Sequence, residues 1–122
     1  MVEFALVIPL FLIIVMATVD FGWAFRSYIT TTNAAREGAR LGVTGVNEAD
    51  IKARVVERSS GLLEADDVTV TGALGGSGDA LTVDTTLNYT YITPLGGLLN
   101  VISGGTLPNP LELGATTVMR ME

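Results

Sequence analysis

Carboxylates are the main candidates for chemistry in this chain. The sequence has 13 Asp and Glu residues but no His and no Cys, so imidazole bases, thiolate nucleophiles and the usual zinc ligands are excluded. The acid pairs Asp66–Asp67 and Asp79/Asp84 lie near predicted turns, but the spacing D-x-[DN]-x-[DN]-G of a calcium loop is absent. We therefore expect no catalytic residue, no metal site and no cofactor, and an enzyme is not expected.

Two further carboxylates bracket the most apolar part of the chain. Glu3 and Asp20 are the only charges in the first 25 residues, and an unbroken apolar run from Phe4 to Val19 lies between them. A cleaved secretory signal is disfavoured, because the residues before the run are acidic and no A-x-A site follows it. A plain membrane anchor has no obvious use for an acid at the position of Glu3.

The same region is long enough to cross a bilayer. A transmembrane helix needs about 20 mainly apolar residues, and the segment 4–25 supplies them. Trp23 and Phe25 fall where an interfacial aromatic belt would lie, and Arg26 marks the water side. Membrane lipid is therefore the first predicted partner.

A nucleic-acid partner is not expected, because the net charge is −6 and the basic residues are scattered along the chain.

The apolar helix is predicted to continue well beyond the membrane, over about residues 1–43. Pro9 removes one backbone donor, so we expect a local loosening or kink there. A stripe of small residues at i, i+4 and i+8 allows a close approach by another surface, and packing on the chain's own sheet is favoured over a contact between subunits. The stripe comprises Ala34, Gly38 and Gly42, and the neighbouring polar face comprises Arg36, Glu37 and Arg40, with Glu37 expected to pair with Arg40.

After this helix the pattern indicates a small α+β module. A short amphipathic helix is predicted over about 48–60 with Asn47 as its N-cap. Strict alternation then predicts strands over about 67–73, 80–92 and 114–122, which form a three-stranded antiparallel sheet packed on the long helix. The apolar segment 95–102 is either cover for this small core or an exposed contact patch, and burial is favoured.

Four stretches resemble one known family. VEFALVIPLFLIIV, DFGWAF, TNAAREGAR and the ending ATTVMRME are similar to the TadE-like pseudopilins of tight-adherence (Tad) pilus systems. The resemblance implies a type IV pilin-like subunit, trimmed by a prepilin peptidase, extracted from the inner membrane by an assembly platform and polymerised through its N-terminal helix. Residues 1–26 would then be the transmembrane and filament-core half of that helix, and residues 27–122 the globular head.

The resemblance also gives Glu3 a role. In related pilins an acid near the mature N-terminus is needed for assembly, and Glu3 is the matching residue here. Those pilins carry it as the fifth mature residue, so either the mature start differs here or residues before Met1 are missing. A buried carboxylate needs a partner, and we hypothesise that Glu3 meets the Met1 amine of a neighbouring copy and sets the axial register. The alternative places Glu3 unpaired among lipid headgroups.

These observations predict a structural subunit of an extracellular, type IV-like Tad pilus with a role in adhesion. Its main partners would be copies of itself in a helical filament, after a stage in the cytoplasmic membrane. Two alternatives stay open: a minor pseudopilin that primes assembly, and a bitopic membrane protein whose small domain binds a partner without polymerising.

Overall fold

The computed structural model describes residues 2–106, 108 and 110–121. Helices and strands follow in the order α1 (Val2–Gly42), α2 (Glu48–Arg58), β1 (Val68–Thr71), β2 (Ala80–Tyr89), α3 (Leu95–Ser103) and β3 (Leu111–Arg120). A short 3₁₀ turn, Ala65–Asp67, precedes β1. The three strands form one sheet in the order β1-β2-β3. The predicted α+β architecture, with a long N-terminal helix and a three-stranded antiparallel sheet, is confirmed.

The chain divides into two compact units. The N-terminal unit comprises Met1–Arg26 and Asn88–Leu111, and the sheet unit comprises Ser27–Leu87 and Glu112–Glu122. Residues 88–111, which the sequence pattern assigns to the head, therefore group with the first 26 residues. The two units are described separately below.

The core of the sheet unit lies between α1, α2 and the inner face of the sheet. Small residues on α1 let these elements approach: Ala35 and Ala39 are completely buried. Alternation along the strands supplies the other side of the core, because every second residue points inward. The buried core residues of this unit are Ala34, Ala35, Ala39, Ile51, Val55, Leu63, Val68, Val70, Leu81, Val83, Leu87 and Met121.

Local capping positions the short elements of the sheet unit. The Asn47 side chain accepts a hydrogen bond of 2.9 Å from the Asp50 backbone N–H, so the predicted N-cap of α2 is confirmed. β1 pairs antiparallel with β2 in a register that places Val70 opposite Val83. Between β2 and β3, the buried hydroxyl of Thr85 donates to the Ala115 carbonyl at 3.1 Å. These bonds fix which side chains of each strand face α1.

The stretch after β2 differs from its prediction. β2 ends at Tyr89 instead of reaching residue 92, and the backbone N–H groups of Ile92 and Thr93 donate to a side chain on α1, as described below. The following apolar segment forms the nine-residue helix α3. The favoured burial of that segment is observed for Leu95, whereas Val101 and Ile102 are exposed, as the alternative of an exposed patch has it.

Replacing Gly38 by Ala tests the close approach in the sheet unit. A Cβ there would lie 2.3 Å from Val55 Cγ2, and the β-branched Val55 has little rotamer freedom to move aside. We expect Gly38→Ala to lower the free energy of unfolding by about 1–3 kcal/mol, measured by denaturant unfolding of the full chain in detergent micelles.

Gly22→Ala is the matched control for that substitution, because it lies in the same helix and its Cβ would meet nothing within 4 Å. Alanine has the higher helix propensity, so Gly22→Ala should be neutral or stabilising by up to about 1 kcal/mol. Equal effects of the two substitutions would contradict the packing argument.

Candidate functional site

The candidate functional site is the apolar surface of α1, defined here as Val2–Val19. Nearly all of its large side chains are exposed: Val2, Phe4, Leu6, Val7, Ile8, Leu10, Phe11, Leu12, Ile14, Val15 and Val19. By length and composition α1 can cross a membrane, and its most apolar 18-residue window contains no buried residue. The hydroxyl of Thr18 donates to the Ile14 carbonyl at 2.8 Å, so this polar group is satisfied within the helix. The surface is therefore suited to an apolar environment.

Glu3, the predicted assembly residue that the structure describes, lies at the start of this surface. Glu3 is in the first turn of α1 and exposed, and its carboxylate has no hydrogen bond or salt bridge to any other residue that the structure describes. Met1 lies outside the described residues, so the proposed pair with Glu3 stays a prediction. Pro9 lies inside α1, which continues as one helix on both sides of it.

A buried carboxylate closes the apolar surface at its other end. Asp20 is only 2% exposed, and its Oδ1 accepts hydrogen bonds from the backbone N–H groups of Ile92 at 2.8 Å and Thr93 at 3.1 Å. The Thr93 hydroxyl donates to Oδ2 of the same carboxylate. Three donors thus compensate a carboxylate that burial alone would make costly. The result is a polar link from α1 to the segment between β2 and α3.

Two further contacts support this link. The Tyr89 hydroxyl donates to the backbone carbonyl of Asp20 at 3.2 Å. Burial, together with the negative charge of Asp20, raises the pKa of Tyr89 above its usual value, so the hydroxyl keeps the proton that it donates. The Thr93 hydroxyl also accepts from the backbone N–H of Leu95 at 3.3 Å, and Leu95 is the first residue of α3. The Asp20 link therefore also positions the start of that helix.

Aromatic and basic side chains follow Asp20 on α1. The Arg26 guanidinium lies over the Trp23 ring, 4.9 Å from its centroid, which is cation–π geometry. An aromatic ring and a base in this order are typical of a helix that leaves a bilayer. The pair lies just beyond the apolar surface of α1.

The predicted small-residue stripe packs inside the sheet unit. Ala34 is buried, a Cβ on Gly38 would clash with Val55, and one on Gly42 would lie 2.3 Å from Leu81 Cδ2. These residues therefore contact α2 and the sheet of their own subunit. The space that the missing side chains leave is already occupied.

The predicted polar face of α1 lies next to the buried small-residue stripe. Arg36 and Arg40 are exposed. Glu37 lies 3.9 Å from Arg40 and, through its other oxygen, 3.9 Å from Arg58 on α2. Because Arg40 is 77% exposed, such pairs contribute little to stability.

The turn carboxylates have local structural partners. Asp67 accepts from the Glu64 backbone N–H at 2.8 Å, and Asp79 accepts from that of Gly76 at 2.7 Å. Within the described part of the chain, no three His, Cys, Asp or Glu side chains come together as metal ligands would. These acids cap turns.

Asp20 is the important residue that the sequence pattern did not single out. The pattern marked it only as the end of the apolar run, because its donors lie more than 70 positions away along the chain. One signal was available: an acid on the apolar half of a helix requires donors, and Thr93, just before Pro94, interrupts the strand alternation. Nothing in the sequence pairs these two positions.

The class of protein follows from these features: an α+β protein with an exposed, membrane-capable N-terminal helix. Residues 1–40 match the family model described as TadE-like protein, so the resemblance to the TadE-like family is confirmed over nearly all of α1. The comparisons with curated proteins and with solved structures found no match. Together, the family match and the apolar helix fit a Tad pilus-related pseudopilin.

Asp20→Ala tests the polar link. Removing the carboxylate leaves the N–H groups of Ile92 and Thr93 without their acceptor. This lowers the free energy needed to open the segment locally by about 2 kcal/mol or more. We expect amide hydrogen exchange in the 88–95 region to accelerate about 30-fold or more, measured on the full chain in detergent. Glu112→Ala, which removes an exposed acid, is the control, and equal exchange in the two variants would contradict the link.

Thr93→Val separates the hydroxyl from the backbone donors. It removes the bond to Asp20 Oδ2 and the acceptor of the Leu95 N–H, but leaves both N–H bonds to Oδ1. We expect the free energy of local opening to fall by only about 1 kcal/mol, again measured by amide exchange of residues 88–95. Thr90→Val, at an exposed position, should leave the exchange rates unchanged.

Proposed function

We propose that this chain is a structural subunit of an extracellular, type IV-like Tad pilus, and that the pilus contributes to surface attachment. The subunit is held in the cytoplasmic membrane by α1 before assembly. A prepilin peptidase and a pilus assembly platform act on it there, and it then polymerises with copies of itself through α1.

The exposed apolar surface of α1 carries this proposal. Eleven large apolar side chains between Val2 and Val19 are exposed, and large contiguous apolar surfaces on proteins mark contacts with lipid or with other proteins. A helix can enter either environment, since its backbone groups are hydrogen-bonded within the helix itself. The family match covers this same region. One surface can therefore serve lipid before assembly and neighbouring helices afterwards.

The two acids that bracket this surface are spaced like the faces of a bilayer. Glu3 and Asp20 are separated by 17 helical positions, or about 26 Å along the axis at about 1.5 Å per residue. The hydrocarbon core of a bilayer is about 30 Å thick. Asp20 has its donors within the chain, so only Glu3 is left to find a partner elsewhere.

A neighbouring copy is the partner that we propose for Glu3. In a staggered bundle of α1 helices, the carboxylate of one subunit meets the N-terminal amine of the next, and this pair selects one axial register. Register selection by a single buried polar group is well attested in coiled coils. A bitopic binding module would gain nothing from the acid, whereas a minor pseudopilin that primes assembly would use it in the same way.

Glu3→Gln tests the proposal in cells that produce the pilus. The amide keeps the size of the side chain but removes its charge, so the buried pair is lost. Breaking such a pair costs several kcal/mol, and we expect the yield of sheared filaments to fall about tenfold or more. Glu112→Gln, which neutralises an exposed acid on β3, should leave the yield unchanged.

Membrane fractionation and electron microscopy of the same cells complete the test. An unchanged amount of Glu3→Gln subunit in the membrane, with few filaments, places the defect in assembly instead of anchoring. An unchanged filament yield would contradict the register role. Filaments composed mainly of another protein, in cells that make the unchanged chain, would identify it as a minor pseudopilin.

A further inference from the structure

Helix α3 presents an apolar face that its own unit does not cover. Leu95 is buried, and it lines a cavity of about 70 Å³ together with Leu99 and α1 residues such as Phe21. Further along α3, Val101 is 82% and Ile102 is 69% solvent-accessible. Ile102 follows Leu95 by seven positions and so shares its helical face, and Val101 adjoins it on the outer side. The first turn of α3 thus packs on α1 near Asp20, whereas its last turn leaves two large apolar side chains exposed.

The position of α3 along α1 is fixed at one end of the apolar surface. The Asp20 link holds Thr93, and Leu95 follows two residues later. The shared cavity extends over α1 only at Asp20, Phe21 and Ala24. With Val2–Val19 in the hydrocarbon core, as proposed above, α3 would lie at the level where α1 leaves that core.

The composition around α3 is unusual for a water-exposed surface. No charged residue occurs from residue 85 to residue 111. Elsewhere in the N-terminal unit the charges are Glu3, Asp20 and Arg26 alone, and Arg26 lies against Trp23. A helix that faced only water would carry charged side chains on its outer face.

The ends of α3 also suit an environment of low polarity. Pro94 precedes the helix and has no N–H to satisfy, and the Leu95 N–H donates to the Thr93 hydroxyl. At the other end, Gly104 is left-handed and the Gly105 N–H donates to the Asn100 carbonyl at 2.9 Å. This closure satisfies a terminal carbonyl. Polar backbone groups without partners would oppose insertion near hydrocarbon.

We propose that α3 is an interfacial helix. Val101 and Ile102 insert at the headgroup–acyl boundary, in the outer leaflet of the cytoplasmic membrane, while the subunit is held in that membrane. This proposal rests on the proposed membrane residence of α1. α3 is short and has no basic residues, so it would not bind a bilayer by itself. It is held there because the Asp20 link couples it to a spanning helix.

The test uses the absence of cysteine from the chain. Single variants Val101→Cys, Ile102→Cys, Asn100→Cys and Phe11→Cys each carry one environment-sensitive fluorophore. The full chain is reconstituted at high lipid-to-protein ratio in phosphatidylcholine vesicles that contain lipids with a quencher at shallow or deep acyl positions. Phe11 reports on the middle of the apolar surface of α1, and Asn100 is the adjacent polar position on α3.

The expected result is a shallow depth for α3. Labels at Val101 and Ile102 should be quenched at least about twofold more strongly than the label at Asn100, and more by shallow than by deep quenchers. The label at Phe11 should be quenched most strongly by the deep quencher.

Three other results would overturn the proposal in different ways. Quenching at Phe11 without quenching at Val101 and Ile102 would reject the interfacial helix and leave the membrane residence of α1 intact. No quenching at any position would reject both. Blue-shifted fluorescence at Val101 that appears only at high protein density, without quenching by lipid, would assign the exposed face of α3 to a second copy of the chain.

Discussion

Internal hydrogen bonding of the backbone is the constraint on which the structure of α1 depends. A helix pairs its own N–H and C=O groups, so its side chains alone decide what each part can contact. Large apolar side chains over Val2–Val19 create a surface with no cover in the described structure. Alanine and glycine at positions such as Ala39 and Gly38 let a second helix and a sheet pack closely. One continuous element therefore carries two different kinds of packing.

Asp20 shows how polar groups supplement this scheme. Its carboxylate accepts hydrogen bonds from two backbone N–H groups and one hydroxyl of Ile92 and Thr93, and these bonds hold the segment that follows β2 and position the start of α3. Bonds of this kind are directional, whereas apolar contacts are not. The buried acid thus gives the N-terminal unit a defined arrangement, which apolar packing by itself specifies less sharply. Glu3, at the other end of the apolar surface, has no such donors among the described residues.

Local signals predicted most of the architecture, and non-local contacts account for the rest. The length of α1, the N-cap at Asn47 and the alternation along β2 are written in consecutive residues, so periodicity and capping rules find them. The Asp20–Thr93 link joins residues 73 positions apart, and no period reveals such a contact. The exposure of Val101 and Ile102 was only the less favoured of two alternatives for a related reason: an apolar run without a clear period indicates burial by composition alone, and contacts elsewhere in the fold decide which of its residues are covered. The roles proposed for Glu3 and Met1 require a second subunit, which lies outside any single chain.

The close packing at Gly38 and Gly42 has a mechanical consequence. Val55 and Leu81 of the same subunit occupy the space beside these glycines. The glycines therefore cannot allow a close contact between α1 helices of neighbouring subunits. A helix that approaches Val2–Val19 meets bulky, flexible side chains, which favour the wider part of the usual interaxial range of about 8–10 Å. Contacts of that kind change little when one helix slides along another by a fraction of a turn. A fibre built on such a surface would be compliant under tension, and its resistance to stretching would reside in its few directional polar contacts.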